Sequence, residues 1–290
     1  MRYYPRAVTV NGVGRGGMAE QESVSEWERL GVDTSKPSVA RVYDAILGGK
    51  DNFAVDRAVA AKRLELIPDG GQGARISRGF LARGVAHMAR EGITQFLDIG
   101  SGLPTSQNTH QVAQSVAPGA RVVYVDHDAI VLAHSRALLT ETPDTRVMLG
   151  DFRSPHDILD SATVQEFLDW SRPIGLLLVG VVHHIADAED PAALVRTYVD
   201  RLPAGSYLLL SHFSDASPEA RALEQAFQQM MGSGRMRSPK EIEGFFDGLE
   251  LVDPGVVPVV SWRPEEAVPE PSTPNTLLVY GGLGKRSELG

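Results

Sequence analysis

The sequence predicts an α/β protein, a doubly wound and mostly parallel sheet entered through a helical segment. From Ile93 onward, short apolar runs alternate with helical stretches, the pattern of parallel strands joined by crossover helices. The run at 96–99 passes directly into Gly100 and Gly102 and then into a helical segment, a turn used at the carboxyl edge of such sheets. The residues before this pattern carry helical rather than alternating periodicity.

In the helical preface, Val39, Val42, Tyr43, Ile46 and Leu47 form one apolar face that Gly48 and Gly49 close. A second helix is expected over 55–67, stopped by Pro68. After a turn-rich stretch at 69–73, a third is expected over 74–91, with Leu81, Val85 and Met88 on one side. Strands are then expected at 94–99, 121–125, 146–149, 175–182 and 206–211, with helices at 106–116, 129–139, 162–170 and 191–201 between them. The chain should end in helices around 218–231 and 239–249 and two antiparallel edge strands near 256–262 and 276–280. Those two strands are separated by a loop at 264–274 that holds four prolines. The expected organisation is a disordered leader at 1–24, a helical cap at 25–92, the sheet core at 93–283 and a tail at 284–290.

Composition narrows the function. The chain has 290 residues, no cysteine, 42% apolar and 22% charged residues, an ordinary globular balance that excludes disulfide frameworks and thiolate chemistry. Its net charge is −9. Residues 1–17 carry three arginines and no acid, leaving 25 basic against 37 acidic groups in the rest. An acidic body repels phosphate backbones, so nucleic acid is not expected as the substrate. The longest apolar run, 174–182, spans nine residues, far short of the roughly 20 that cross a bilayer. The arginine-containing start lacks a secretory-type apolar core, and a cytoplasmic location is expected.

The most informative segment is 96–105, where Asp98 precedes Gly100, Ser101 and Gly102. Glycines there let the backbone turn sharply and approach a ligand closely, although a strand-to-helix turn without a ligand reads the same way. Two further acids add weight. Asp126 ends the second strand, 26 residues after Gly100, where a carboxylate can accept both hydroxyls of a ribose. Asp151 follows the third strand, placed to accept from an adenine amino group, beside Phe152, whose ring can stack on a base. Three acids at successive strand ends point to a nucleoside site. A dinucleotide would want a third glycine where Thr105 stands. S-adenosylmethionine has no phosphate and carries a sulfonium and an ammonium, which favour a position beside Asp98.

The runs at 40–53, 95–105 and 122–126, together with Trp262-Arg263-Pro264, resemble a bacterial family of S-adenosylmethionine-dependent methyltransferases formerly described as a domain of unknown function. The resemblance extends from about Pro37 to Gly282. It implies a class I methyltransferase (Rossmann-like) fold, a seven-stranded sheet with an antiparallel last strand, and S-adenosylmethionine as cofactor. It implies no particular acceptor. The sequence departs from the family pattern at Ser77, His127 and Ala129, where the family has Asn, Asn and Pro. His127 follows the ribose-binding acid and is expected to bear on packing around the adenine.

Methyl transfer needs an aligned nucleophile and a dry cavity, and a base only if the acceptor must lose a proton. His183, next to His184 after the fourth strand, is the candidate base. The plainer reading is a strand-end histidine bonded to backbone, and it is preferred. The turn at 48–53 is read as a lid that brings Tyr43, Asn52 and Phe53 over the cofactor, with a helix C-cap and a core Phe53 as the alternative. Arg235 and Arg237 can hold an acidic substrate or be capped by nearby acids. The remaining histidines show no metal-ligand spacing, and no metal is expected.

The expected function is therefore a methyltransferase acting on a small molecule. The alternatives are a protein that binds S-adenosylmethionine or S-adenosylhomocysteine without turnover, and an NAD-dependent oxidoreductase. Oligomeric state is not legible in the sequence.

Overall fold

The computed structural model describes residues 32–104, 107–139, 142–266, 268 and 270–287. The leader at 1–24, Thr105, Ser106 and the last three residues lie outside the described residues.

Three helices come first: α1 (Val39–Ile46), α2 (Ala54–Leu66) and α3 (Gly70–Arg90). Helix α3 starts four residues earlier than the periodicity suggests, because Gly70, Gly71 and Gly73 form its opening turns instead of a loop. The alternating part follows as β1 (Gln95–Ile99), α4 (Thr109–Val116), β2 (Arg121–Asp126), α5 (Ala129–Leu139) and β3 (Thr145–Leu149). It continues with α6 (Pro155–Leu159), α7 (Ala162–Phe167), β4 (Gly175–Val179), α8 (Pro191–Arg201) and β5 (Tyr207–Phe213). The chain closes with α9 (Ala220–Met231), α10 (Pro239–Glu243), β6 (Glu250–Leu251), β7 (Val257–Pro258), α11 (Pro274–Leu277) and β8 (Val279–Lys285).

The eight strands form one sheet in the order β3-β2-β1-β4-β5-β8-β6, with β7 also paired to β8. Strands β1 to β5 are parallel, and β8 runs antiparallel to β5, β6 and β7. The mostly parallel sheet with an antiparallel final strand is thus as expected, but it has eight strands rather than seven, because the two-residue β6 and β7 both pair with β8.

The end of the chain needs correction. The expected strand at 256–262 shrinks to two residues, and Trp262 leaves it to be fully buried edge-on against Phe80, ring centroids 5.6 Å apart. Thr276 lies in a short helix, and β8 is inserted beside β5 instead of lying at the edge. Glycines 281, 282 and 284 hid it. A β-carbon on Gly281 would stand 2.7 Å from the Leu210 carbonyl and one on Gly284 2.9 Å from Phe246, so close packing demands residues that carry no strand periodicity. The fourth strand is also shorter than expected. Gly180 takes φ +76° and Val182–His184 coils into a 3-10 turn.

Alternation along the strands produces two cores. Phe96, Val122, Tyr124, Leu177 and Leu209 point to one face and pack with Phe80, Val85 and Met88 of α3. Leu97, Val123, Leu176, Leu178 and Leu208 point to the other, against Ile158, Val164, Val195 and Tyr198. Helix α3 is therefore one of the layers covering the sheet, while α1 and α2 stand over its carboxyl edge. Among the described residues no helix is long and apolar enough to cross a membrane.

Candidate active site

The loops after β1 to β5 open on one cavity that α1 and α3 close from above. It encloses about 210 Å³. Asp98, Gly100, Ser101, Gly102, Asp126, His127, Asp151, Phe152, Tyr43 and His183 all line it.

The glycine turn holds a conformation that side chains resist. Gly100 and Gly102 have φ of +72° and +66°. The Gly100 N–H donates to the Val125 carbonyl at 2.7 Å, and a β-carbon at Gly100 would stand 2.2 Å from Val181 Cγ2. The loop after β4 therefore closes directly on the turn.

Asp126 is 5% exposed. Its Oδ2 accepts the Gly102 N–H and its Oδ1 the Asp128 N–H, each at 2.9 Å. Burial pushes its carboxyl up while those two N–H groups pull it down. Each oxygen retains a lone pair, so the carboxylate is oriented yet still able to accept. His127 lies mostly exposed, its Nδ1 3.6 Å from Asp126 Oδ1.

Asp98 is buried and accepts from Thr109 Oγ1 at 2.6 Å. Burial raises it to about 6, against the opposing pull of Thr109 and Arg78. Such a carboxylate gains from a ligand cation, which replaces the hydration it has lost. Arg78 also lines the cavity and reaches the Leu103 carbonyl at 3.4 Å. Nothing in the sequence marks it, because its role comes from α3 packing beside the glycine turn.

Asp151 Oδ1 accepts the Arg153 N–H at 2.9 Å, and the Arg153 guanidinium bridges Asp151 and Glu189. Phe152 reaches the cavity wall from inside the core, stacked on Tyr198 with centroids 5.1 Å apart.

The expected lid is built differently. Tyr43 faces the cavity and donates to the Ala74 carbonyl at 2.9 Å, alongside Val39, Ala40, Val42 and Ile46 of α1. Asn52 and Phe53 are not brought to the cavity. Asn52 Nδ2 and the Asp51 N–H both donate to Asp44 Oδ2, at 2.7 and 2.9 Å. Phe53 packs with Val32, Leu103 and Ile130. The polar residues of this turn cap α1 through Asp44, and Gly48, at φ +76°, supplies the bend.

His183 is buried and stacks on Phe213, centroids 3.9 Å apart, with its Nδ1 unpartnered. It is therefore not the backbone-bonded strand-end histidine preferred on sequence grounds. Burial above all, with His184, His212 and Arg237 adding repulsion, lowers its pKa well below the usual histidine range. His212 and His184 are lowered to about 3, again mainly by burial. Arg235 and Arg237 are capped by acids. Arg235 pairs with Asp187 and Glu224, both at 3.0 Å, and Arg237 with Asp187 at 2.5 Å. Three further polar groups with unpartnered buried atoms line the cavity: Ser211, Arg63 and Asn275. They carry no local motif and were invisible before the chain was folded.

A family profile described as S-adenosyl methyltransferase matches residues 25–287. The chain is similar to the crystal structure of a "putative methyltransferase" from Thermobifida fusca YX, at 46% identity and TM-score 0.86, covering 91% of this chain and 100% of that one. It is also similar to a DUF574 family protein from Streptomyces avermitilis MA-4680, at 39% identity and TM-score 0.82, covering 88% and 99% respectively. No curated protein matches the chain.

Proposed function

The chain belongs to the S-adenosyl methyltransferase family, and on that footing we propose that it methylates a small molecule held in the cavity beside the cofactor. The observation that carries this reading is the convergence of Asp98, Asp126 and Asp151 with the Gly100–Gly102 turn on one cavity, whose wall continues past them to His183, Phe213 and Leu278.

S-adenosylmethionine, when bound, supplies a sulfonium methyl open to in-line displacement by a nucleophile. Asp98 pairs with the ammonium of its methionine part, and Arg78 with the carboxylate. Asp126 accepts from the ribose hydroxyls, and Asp151 from the adenine amino group, next to Phe152. The glycine turn admits close approach of the backbone, and α1 keeps water out. His183 offers Nδ1 to an O–H or N–H of the acceptor. Its role is to orient by accepting that hydrogen bond, because burial and the neighbouring His184, His212 and Arg237 disfavour an imidazolium.

Incubation of the protein and methyl-labelled S-adenosylmethionine with a small-molecule extract tests this reading. A labelled small product is expected. Tight binding of S-adenosylhomocysteine with no labelled product would mark a binding protein instead.

A further inference from the structure

The cavity contains a buried cation without a counterion. Arg63, on α2, is 5% exposed, and its Nη1 has no hydrogen-bond partner. Among the described residues no carboxylate forms a salt bridge with it, whereas the other buried arginines, Arg41 and Arg237, pair with Asp56 at 3.0 Å and with Asp187 at 2.5 Å. Burial pulls the Arg63 guanidinium below its ordinary pKa, yet it starts so high that it stays charged at neutral pH. An uncompensated buried charge is costly, and a protein that keeps one in a cavity gains when an anion fills it.

A second polar atom faces the same gap. Asn275 is 8% exposed, and its Nδ2 donates to the Pro68 carbonyl at 2.6 Å, which turns Oδ1 away from that bond and leaves it without a partner. A β-carbon on Gly73 would stand 3.0 Å from Asn275 Oδ1 and 3.1 Å from Arg63 Nη2. The two groups therefore converge beside Gly73, too close for any side chain there, and all three residues line the cavity. Phe213, Phe227, Met231, Leu278 and Val279 supply apolar wall to the same cavity.

We propose that the methyl acceptor is a carboxylic acid with an apolar body, its carboxylate held by Arg63 and an adjacent hydroxyl or N–H donating to Asn275 Oδ1. This rests on the methyltransferase reading and names the substrate class for it. A single planar guanidinium matches one carboxylate in fork geometry. Pairing with Arg63 also makes that carboxylate a poor nucleophile, so it serves as the handle. A lone pair on a different atom of the acceptor, oriented by His183, forms the bond to the methyl carbon as the carbon–sulfur bond of S-adenosylmethionine breaks, the electron pair staying on the sulfur of S-adenosylhomocysteine and the acceptor's proton leaving to solvent.

The test titrates acetate, benzoate and salicylate, each against its primary amide, into the full-length protein saturated with S-adenosylhomocysteine. At least one acid is expected to bind ten or more times tighter than its amide, with salicylate the tightest. Arg63→Met should abolish that preference. Asn275→Asp, which supplies an internal counterion to Arg63, should abolish it too, and it serves if the first variant does not fold. Acids that bind no better than their amides, or a preference that survives both substitutions, would overturn the proposal. Affinity for S-adenosylhomocysteine is measured beforehand, by titrating it into the free protein. Its absence from the wild-type protein would count against the methyltransferase reading, and its presence without acid selectivity against this inference alone.

Discussion

Gly102 donates its backbone N–H to Asp126 Oδ2 at 2.9 Å, which ties the turn after β1 to the carboxyl end of β2. One carboxylate thus fixes the glycine turn while facing the cavity that the turn borders.

Asp126→Ala should consequently fail twice over. Loss of a charge-assisted contact to ribose should weaken S-adenosylhomocysteine binding by about 1.5–3 kcal/mol, and loss of the Gly102 and Asp128 bonds should lower stability by about 1 kcal/mol each. Asp151→Asn keeps the size and one acceptor oxygen, so its effect on binding should be smaller. Calorimetry and urea unfolding on the two variants check this, and normal binding by a folded Asp126 variant would show that this acid does not hold the ribose.

Gly100→Ala should be costly for two separable reasons. The positive φ costs about 1–2 kcal/mol for a residue with a β-carbon, and contact with Val181 adds about 1–3 kcal/mol of overpacking. Adding Val181→Ala should recover the second part and leave the first. Urea midpoints of the single and double variants read this directly, and no recovery would mean that the two loops do not press on each other.

Much of this site was legible from the residues in order. The acids at 98, 126 and 151 each end or follow a strand whose apolar run is unmistakable, and a parallel sheet brings successive strand ends to one edge whatever the loops do. The turn at 48–53 was misread because its polar residues serve Asp44, a partner eight or fewer residues away that periodicity cannot rank against a ligand. Arg63, Arg78, Ser211 and Asn275 stayed hidden for another reason. They come from two cap helices, a central strand and the chain's last short helix, and only tertiary packing makes them neighbours of one cavity. Strand β8 was partly missed because three glycines replace the branched residues that usually reveal a strand.

Asp98 should make cofactor affinity depend on pH. Its native carboxyl stays protonated up to about 6, while the unfolded chain releases that proton near its ordinary value of about 4. The group thus stabilises the empty fold at low pH, and that contribution is lost as pH rises through about 6. A ligand ammonium needs the ionised form. Affinity for S-adenosylhomocysteine should therefore rise about tenfold between pH 5 and pH 7, about half the group being ionised near pH 6, and then level off. Asp98→Asn should flatten most of the rise, the remainder coming from Asp126, which burial also raises. An unchanged profile in the variant would remove Asp98 from ammonium binding.

The histidines act on stability with the opposite sign. His183, His184 and His212 are all lowered, so the unfolded chain takes up protons below about pH 6.5 that the native protein refuses. Their contribution is present above that pH and is lost as pH falls towards the folded values of about 3 for His184 and His212. Urea midpoints should drop between pH 7.5 and pH 5, and His184→Gln should shallow the drop by the share of one proton. A flat profile would mean that these rings protonate in the native state.

Asn52→Ala should touch the fold and spare the cofactor. It removes the bonds from Asn52 Nδ2 to Asp44 and to the Gly49 carbonyl, a loss of about 1 kcal/mol in stability. Cleavage by protease around residues 48–53 should be the same with and without saturating S-adenosylhomocysteine. Protection by the ligand would restore this turn as a lid.

The most direct measurement is a calorimetric titration of the wild-type protein with S-adenosylmethionine, S-adenosylhomocysteine and NAD in parallel. Saturable binding of the first two at one site, with no heat from NAD, is the predicted result. Binding of NAD with no response to either S-adenosyl compound would contradict the assignment of Asp98, Asp126 and Asp151 to an S-adenosylmethionine site.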